Sequence, residues 1–194
     1  MRFLLAADDL KSIERTCHIA NGSRWENSAE HSWHVCLFAL TLAEHSPEAI
    51  DVGHVLKLLV IHDLVEVYAG DTHLYDDEAV QTQADRETTA AEKLFGILSE
   101  RQRAEFLGLW REFELRETAE SRFARAVDAL APAWLHWGDH APSAPSDYSV
   151  GQVRERKLPL LSDYPALMAV LEHTLASATL RGILSAEPSS ENRG

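Results

Sequence analysis

The chain has 194 residues, 45% of them hydrophobic, a composition typical of one globular domain with a substantial core. Its 18 Lys and Arg against 31 Asp and Glu give a formal charge of −13, which argues against a long nucleic acid as partner because that binding depends on neutralising phosphates. Two cysteines, the lack of an apolar run near the ~20 residues of a membrane span, and a start unlike a signal peptide together predict a cytoplasmic protein.

Apolar residues recur at helical spacing along most of the chain, and capping residues mark the expected helix ends. Ser99 and Gln102 form a capping-box pattern, and Pro132 is expected to kink or end its helix. No two segments have the alternation expected of a strand pair. The expected helices cover approximately residues 8–17, 27–45, 51–70, 78–97, 99–115, 118–132, 150–158 and 163–182.

These elements predict an all-α fold with a single domain over residues 1–184. Within this domain, the proline- and serine-rich stretch 138–149 is expected to form a loop excursion. The last residues, 185–194, lack apolar periodicity and are expected to be disordered. Strongly apolar helix faces and several tryptophans also favour a homodimer.

The segment that carries most chemical information is the apolar helix containing His62, Asp63 and Glu66. Neighbouring residues on a helix are about 100° apart, so His62 and Asp63 can take adjacent positions on one divalent metal. Glu66 follows His62 by four residues and shares its face, which suits acid/base work on a metal-bound water. A hydrogen-bonded core pair or a surface pair is the alternative interpretation. The apolar setting favours a metal, because a buried carboxylate needs compensation.

His31 and Asp128 are two further candidates, each weak by itself. His31 lies on the inward stripe of its helix with Val35 and Phe38, and a hydrogen-bonded core histidine would explain it equally well. Asp128 is an acid among small apolar residues on the inner face of a late helix. The set formed with His62 and Asp63 is far more informative than any member.

The order and spacing of these residues resemble those of the HD-domain metal-dependent phosphohydrolases. The resemblance is strongest to the branch that contains the bacterial 5'-deoxynucleotidases and their eukaryotic relatives, and it implies a single HD-domain helical bundle with the metal site between core helices. The stretches that carry it are Arg24–Ser32, Ile61–Glu66, Ala69–Thr72 and Phe123–Leu130.

The resemblance also implies roles for individual residues. Glu66 and Asp71 would orient or activate the attacking water and serve the leaving group, while Arg15 would grip the phosphate. Two His and two Asp suit Mn, Co, Fe, Ni or Zn better than Mg or Ca, and they leave positions open for water and a phosphate. The implied metal ligands are His31, His62, Asp63 and Asp128.

The implied enzyme is a hydrolase that removes phosphate from nucleoside 5'-monophosphates by means of a metal-activated water. A small nucleotide is therefore the expected partner. The branch members follow the arginine with a tryptophan that favours deoxy sugars, whereas this chain has Thr16, so the choice between deoxy and ribo substrates stays open. Two alternative functions are a non-catalytic domain that senses a nucleotide and an HD-type di-iron oxygenase.

Overall fold

The computed structural model describes residues 1–72, 77–141 and 146–186, and the all-α prediction is confirmed. The helices are α1 (Arg2–Asp8), α2 (Ser28–Leu42), α3 (Val52–Ile61), α4 (Glu66–Ala69), α5 (Asp77–Phe95), α6 (Glu100–Leu115), α7 (Ala119–Trp137), α8 (Val150–Leu161) and α9 (Pro165–Leu180). Two short strands are β1 (Glu14–His18) and β2 (Trp25–Asn27).

Helix α7 lies at the centre of the bundle, and α2, α3, α6, α8 and α9 all pack against it. Small residues such as Ala124, Ala126 and Ala131 are fully buried along α7, so neighbouring helices can approach it closely. A second apolar cluster forms where α5 and α6 close over Ile61 and Val65. A side chain on the buried side of α7 can therefore contact several other elements.

The helix predicted over 8–17 and the absence of a strand pair are both wrong. After α1 and a 3-10 turn the chain forms β1, which pairs antiparallel with β2, with Glu14 opposite Asn27. The physical reason is the burial pattern. Arg15 and Cys17, two residues apart, are shielded while their neighbours are more exposed, and this alternation belongs to a strand rather than a helix.

The helix predicted over 51–70 is interrupted at its functional end. Helix α3 ends at Ile61, the chain then winds as a 3-10 turn over His62–Val65, and the single turn α4 follows. The predicted stop at Gly70 is confirmed. Its φ of +76° is a backbone conformation that favours glycine, and the turn leads the chain toward Asp71.

Pro132 does not end its helix, since α7 continues to Trp137. Proline has no N–H, so the carbonyl of Asp128 lacks its usual helical donor. The next carbonyl, that of Ala129, accepts a hydrogen bond of 2.8 Å from Lys157 Nζ. Helix α8 therefore supports α7 at the point where proline weakens it.

N-terminal caps are predicted at Asn27 for helix α2 and at Ser99 for helix α6, and the one at Asn27 is formed. Asn27 accepts a hydrogen bond from the backbone of Glu30, whose side chain accepts one in return from the backbone of Asn27. The capping box predicted at Ser99 is not formed, because its hydroxyl donates to the side chain of Gln102 instead of accepting from the helix backbone.

Two segments expected to be irregular are described in part. Of the excursion over 138–149, residues 142–145 lie outside the described residues, and Ser149 closes it by capping α8. In the predicted tail, Ser185 forms a parallel bridge with Ser149, and residues 187–194 lie outside the described residues. None of the helices in the described ranges is both long and apolar enough to cross a membrane.

Replacing Asn27 with Ala should lower the free energy of unfolding by about 1 kcal/mol, because α2 loses its side-chain cap. For a chain of this size the melting temperature should fall by about 2–4 °C. Ser99→Ala is the matched control, and it should change the melting temperature less because its hydroxyl does not cap α6. Thermal denaturation followed by circular dichroism measures both, and equal losses would contradict the assignment of the caps.

Candidate metal centre

Side chains from three helical segments meet between α2, α7 and the 3-10 turn after α3. One potential ligand atom each from His31, His62 and Asp63 lies within 4.8 Å of the others. Asp128 Oδ1 lies 2.9 Å from His31 Nε2 and 3.6 Å from His62 Nε2. His62 Nε2 is also 3.0 Å from Asp63 Oδ1. Three of the four residues predicted as ligands therefore form one cluster, and Asp128 adjoins it through short distances to both histidines.

Local structure accounts for this convergence. The cap at Asn27 starts α2 so that His31 falls on its first turns, where the ring is fully buried. His62 and Asp63 are consecutive in the 3-10 turn, and Asp128 lies in the middle of α7. Because α2 and α3 both pack on α7, the three segments bring their polar side chains together inside an apolar bundle.

The histidine His62 is oriented as a metal ligand would be. Its Nδ1 lies 2.7 Å from the carbonyl oxygen of Leu59, so this nitrogen carries the proton and donates it. Nε2 is buried and faces Asp63 and Asp128. Burial lowers the pKa of this imidazole, but the charges of the two carboxylates outweigh it and raise the pKa above its ordinary value, so Nε2 carries a proton in the metal-free protein. A metal ion bound at Nε2 would take the place of that proton. The donor set of two imidazoles and two carboxylates therefore fits a divalent transition metal.

A carboxylate also stands behind the second imidazole. Glu26 on β2 is buried, and its Oε2 lies 3.5 Å from His31 Nδ1. The two atoms make no hydrogen bond at this distance, but an acid on the far side of an imidazole is the arrangement that commonly orients a metal-binding histidine. Sequence reasoning missed Glu26, although it lies in the stretch Arg24–Ser32 that carries the family resemblance.

Arg15 on β1 supplies positive charge at the centre of this acidic cluster. Its Nη1 lies 3.0 Å from Asp63 Oδ2, 3.7 Å from Asp71 Oδ1 and 3.9 Å from Glu66 Oε1. Burial lowers the pKa of Arg15, but these carboxylates outweigh it and raise the pKa above its ordinary value. Burial likewise acts to raise the pKa of Asp63, but the charges of His62 and Arg15 prevail and lower it to about 2.

The two predicted acid/base residues occupy different environments. Glu66 is buried, and burial together with the charge of Asp63 raises its pKa to about 9, so its carboxyl holds a proton near neutral pH. Asp71 follows the turn at Gly70 and is partly exposed at the edge of the cluster. Arg86 from α5 holds that turn through hydrogen bonds to its backbone and to a threonine hydroxyl.

A cavity of about 190 Å³ opens beside the cluster, and Arg15, Thr16, Glu66 and Asp71 contribute to its wall. At ~30 Å³ per water this is space for about six waters, more than a metal ion and its open coordination positions require. Sequence reasoning missed several other residues of this wall, which are Gln83, Glu87, Arg125, Trp137, Tyr148 and Lys157.

Two of the missed residues left a signal in the sequence. Arg125 precedes Asp128 by three residues on α7, and its Nη1 donates to Asp128 Oδ2 at 3.0 Å. Lys157 falls on the buried stripe of α8 between Val153 and Leu161, where a charged residue is unexpected. In both cases a charged residue on a helix is a side chain that lines the cavity.

A family model described as an HD domain matches residues 7–168 of the chain. Curated relatives named 5'-deoxynucleotidase HDDC2 include the protein of Danio rerio, 27% identical over 131 residues, and that of Homo sapiens, 26% identical over 129 residues. The matched regions cover 67% and 66% of this chain. They span less than two thirds of the relatives, 64% and 62% of their own lengths.

The solved structures give a broader match. A protein of Magnetospirillum magnetotacticum MS-1, described as a predicted metal-dependent phosphohydrolase, is 38% identical with a TM-score of 0.84, over 95% of this chain and 93% of that one. The PH0347 protein of Pyrococcus horikoshii OT3 is 23% identical with a TM-score of 0.61, over 93% of this chain and 98% of that one. The second likeness concerns the fold alone.

Replacing Arg15 with Met should destabilise the metal-free protein by about 3 kcal/mol, because the buried carboxylate of Asp63 loses its charge partner. Arg24→Met is the matched control, since Arg24 pairs with Glu30 on the surface of the same hairpin and exposed pairs contribute little. Urea unfolding in the presence of a chelator measures both variants. Similar losses would show that Arg15 does not compensate the buried acids.

Proposed function

From the premise that this chain belongs to the HD domain family of metal-dependent phosphohydrolases, we propose that it removes phosphate from nucleoside 5'-monophosphates. The observation that carries this proposal is the convergence of His31, His62, Asp63 and Asp128 on one point beside Arg15. The names of the HDDC2 relatives support the nucleotide as substrate class. A cytoplasmic location stays a prediction from the sequence.

In this proposal a divalent ion of Mn, Co, Fe, Ni or Zn is held by the four converging residues, which are His31, His62, Asp63 and Asp128. When bound, such an ion lowers the pKa of a water ligand toward neutrality and polarises a phosphoryl oxygen. The hydrogen bond from His62 to the carbonyl of Leu59 supports this assignment, because it aims the other ring nitrogen at the carboxylates, where the metal ion would replace a proton.

The phosphate is held by the arginines at the edge of the cluster. Arg15 Nε is buried and makes no hydrogen bond to a described residue, so it has a donor to offer to a phosphoryl oxygen. Arg125 Nε is likewise buried without a hydrogen bond to a described residue, and Arg125 also lines the cavity. Two planar guanidinium groups on one cavity wall suit an oxyanion whose charge grows during phosphoryl transfer.

Two carboxyl groups handle the protons of hydrolysis. The attacking water must lose one proton, and the leaving 5' oxygen of the nucleoside must gain one. Glu66 is buried next to Asp63, where its unpartnered Oε2 can take up or release a proton close to the reacting water. Asp71, at the edge of the cluster, is placed to serve the leaving group as it departs.

The sugar preference depends on the residue that comes directly after Arg15 in β1. Thr16 contributes to the cavity wall at this position, where the deoxynucleotidases have tryptophan. A threonine is too small to exclude a 2'-hydroxyl by bulk, so we expect ribo- and deoxynucleotides to be cleaved at comparable rates.

We also retain the homodimer as part of the proposal. Helix α2 exposes Trp33, Leu37 and Leu40, which lie at helical spacing on one side and are 63%, 41% and 53% exposed. An apolar stripe of this kind favours self-association, and the molar mass measured by light scattering tests it.

Asp63→Asn should abolish most of the activity, because the loss of a ligand costs more than the ~10–100-fold loss seen when a residue behind a ligand is removed. Phosphate release from ribo- and deoxynucleoside 5'-monophosphates with Mn or Co measures this, and elemental analysis gives the metal bound per chain. Asp85→Asn on the exposed side of α5 is the control.

Three outcomes would contradict the proposal in different ways. Binding of nucleotide without turnover in the metal-loaded protein would favour a sensing domain. Two irons per chain would favour an oxygenase. Full activity in Asp63→Asn would remove the metal centre from the mechanism.

Glu66→Gln should lower kcat by about 100-fold or more while the metal content stays unchanged, because the amide cannot exchange a proton but keeps the shape of the side chain. Glu87→Gln is the matched control, since Glu87 is also buried and lines the same cavity but is bonded to Gln83. Steady-state kinetics and elemental analysis separate the two effects. Equal losses of kcat in both variants would show that Glu66 has no special role.

A further inference from the structure

The cavity continues along α7 beyond the candidate metal centre. Arg125, Asp128, Pro132 and Trp137 line it in succession along this helix. Asp128 and Trp137 are nine residues apart, which is two and a half helical turns or about 13 Å. One end of the cavity therefore holds the ligand cluster, and the rest of it is available to the part of the substrate that carries the phosphate.

A lysine side chain is buried in the wall of this inner part. Lys157 is 6% exposed, and its Nζ donates to the carbonyl of Ala129. No carboxylate of a described residue lies within ion-pair distance of it, and burial lowers its pKa to about 8 although the charge of Asp128 acts in the opposite direction. An ammonium group has three protons, so Lys157 has donors to spare in a place where unpaired donors are costly.

The indole N–H of Trp137 is a second buried donor in the wall of the cavity. Trp137 lines the cavity and is 4% exposed, and its indole Nε1 is buried without a hydrogen-bond partner among the described residues. Its position is well defined, because Arg181 donates to the carbonyl of Trp137 and to those that follow it. An indole N–H is only a donor, and because Trp137 lines the cavity, a ligand bound there can offer it an acceptor.

Apolar and ring side chains from α7 and α8 also line this part of the cavity. They are Pro132, Ala133, His136 and Leu160, and Tyr148 comes from the segment before α8. Apolar surfaces with a few oriented donors are the usual environment of a flat ring that carries hydrogen-bond acceptors.

We propose that the inner cavity binds the base of the substrate nucleotide and that the N–H groups of Lys157 and Trp137 select guanine and thymine, which present a carbonyl oxygen at the position where adenine and cytosine carry an amino group. Guanine and thymine present a carbonyl acceptor on the edge where adenine and cytosine present an amino donor. An amino group would meet the donors of Lys157 and Trp137 without a partner for any of them. This inference rests on the proposed function, since it assigns the leaving group of that same reaction.

The first test compares kcat/KM for the 5'-monophosphates of deoxyguanosine, thymidine, deoxyadenosine and deoxycytidine, with base-free 2-deoxyribose 5-phosphate as reference. We expect the two carbonyl bases to be preferred by about 10-fold or more. Lys157→Met and Trp137→Phe should each reduce this preference when the kcat/KM of every nucleotide is divided by that of the base-free substrate in the same variant. A purely structural role would lower all five substrates together, which would overturn the proposal for that residue.

Trp110→Phe is the matched control. Trp110 Nε1 is also buried without a described partner, but Trp110 belongs to the apolar cluster under α5 and α6 and does not line the cavity. Its substitution should leave the base preference intact. If Lys157→Met fails to fold, Trp137→Phe still decides the matter, because it removes the N–H and keeps the aromatic ring.

Calorimetric titration with free deoxyguanosine and deoxyadenosine separates this inference from the proposed function. Tighter binding of deoxyguanosine, weakened in Trp137→Phe, supports the base site even if no phosphate is released from any substrate. Release of phosphate from all four nucleotides at equal rates would overturn the base selection and leave the proposed function standing. Equal or undetectable binding of both nucleosides would likewise count against the base site.

Discussion

Charge compensation inside an apolar bundle is the constraint on which the rest of the structure depends. Asp63, Asp128, Glu66 and Glu26 all project into one small region, and carboxylates are expensive to bury without positive partners. Arg15, Arg125 and the protonated imidazole of His62 supply part of that charge in the metal-free protein. A divalent cation at the point where the ligand atoms converge would neutralise the remainder, so the same residues that strain the metal-free fold would stabilise the occupied one.

This constraint explains several features that look separate. The hairpin of β1 and β2 interrupts a helical fold, and it carries Arg15 and Glu26 into the cluster. The 3-10 turn after α3 presents His62 and Asp63 together, and the turn at Gly70 places Asp71 at the edge of the site. Each departure from regular helix thus delivers a charged side chain to the same place.

The central helix serves both the core and the cavity. Small residues on α7 let five other helices pack closely, while the stripe from Arg125 to Trp137 forms a wall of the cavity. Pro132 leaves a backbone carbonyl without its helical donor, and the neighbouring contact from Lys157 brings a buried cation to the middle of that wall. Stability and substrate recognition are consequently coupled at one helix.

The sequence by itself determined the all-α class, the helix from Asn27 and the stop at Gly70, because these depend on local periodicity and on caps within a few positions of the chain. The metal ligands came from the family resemblance and stay a prediction, which the short distances among His31, His62, Asp63 and Asp128 support. Only the tertiary structure decided that residues 14–18 form a strand, that Ser99 does not close its predicted box, and that Glu26, Arg125, Trp137 and Lys157 face the site. Their roles arise from contacts between segments that are distant in the sequence, such as Lys157 with Ala129, and local propensity carries no information about such contacts.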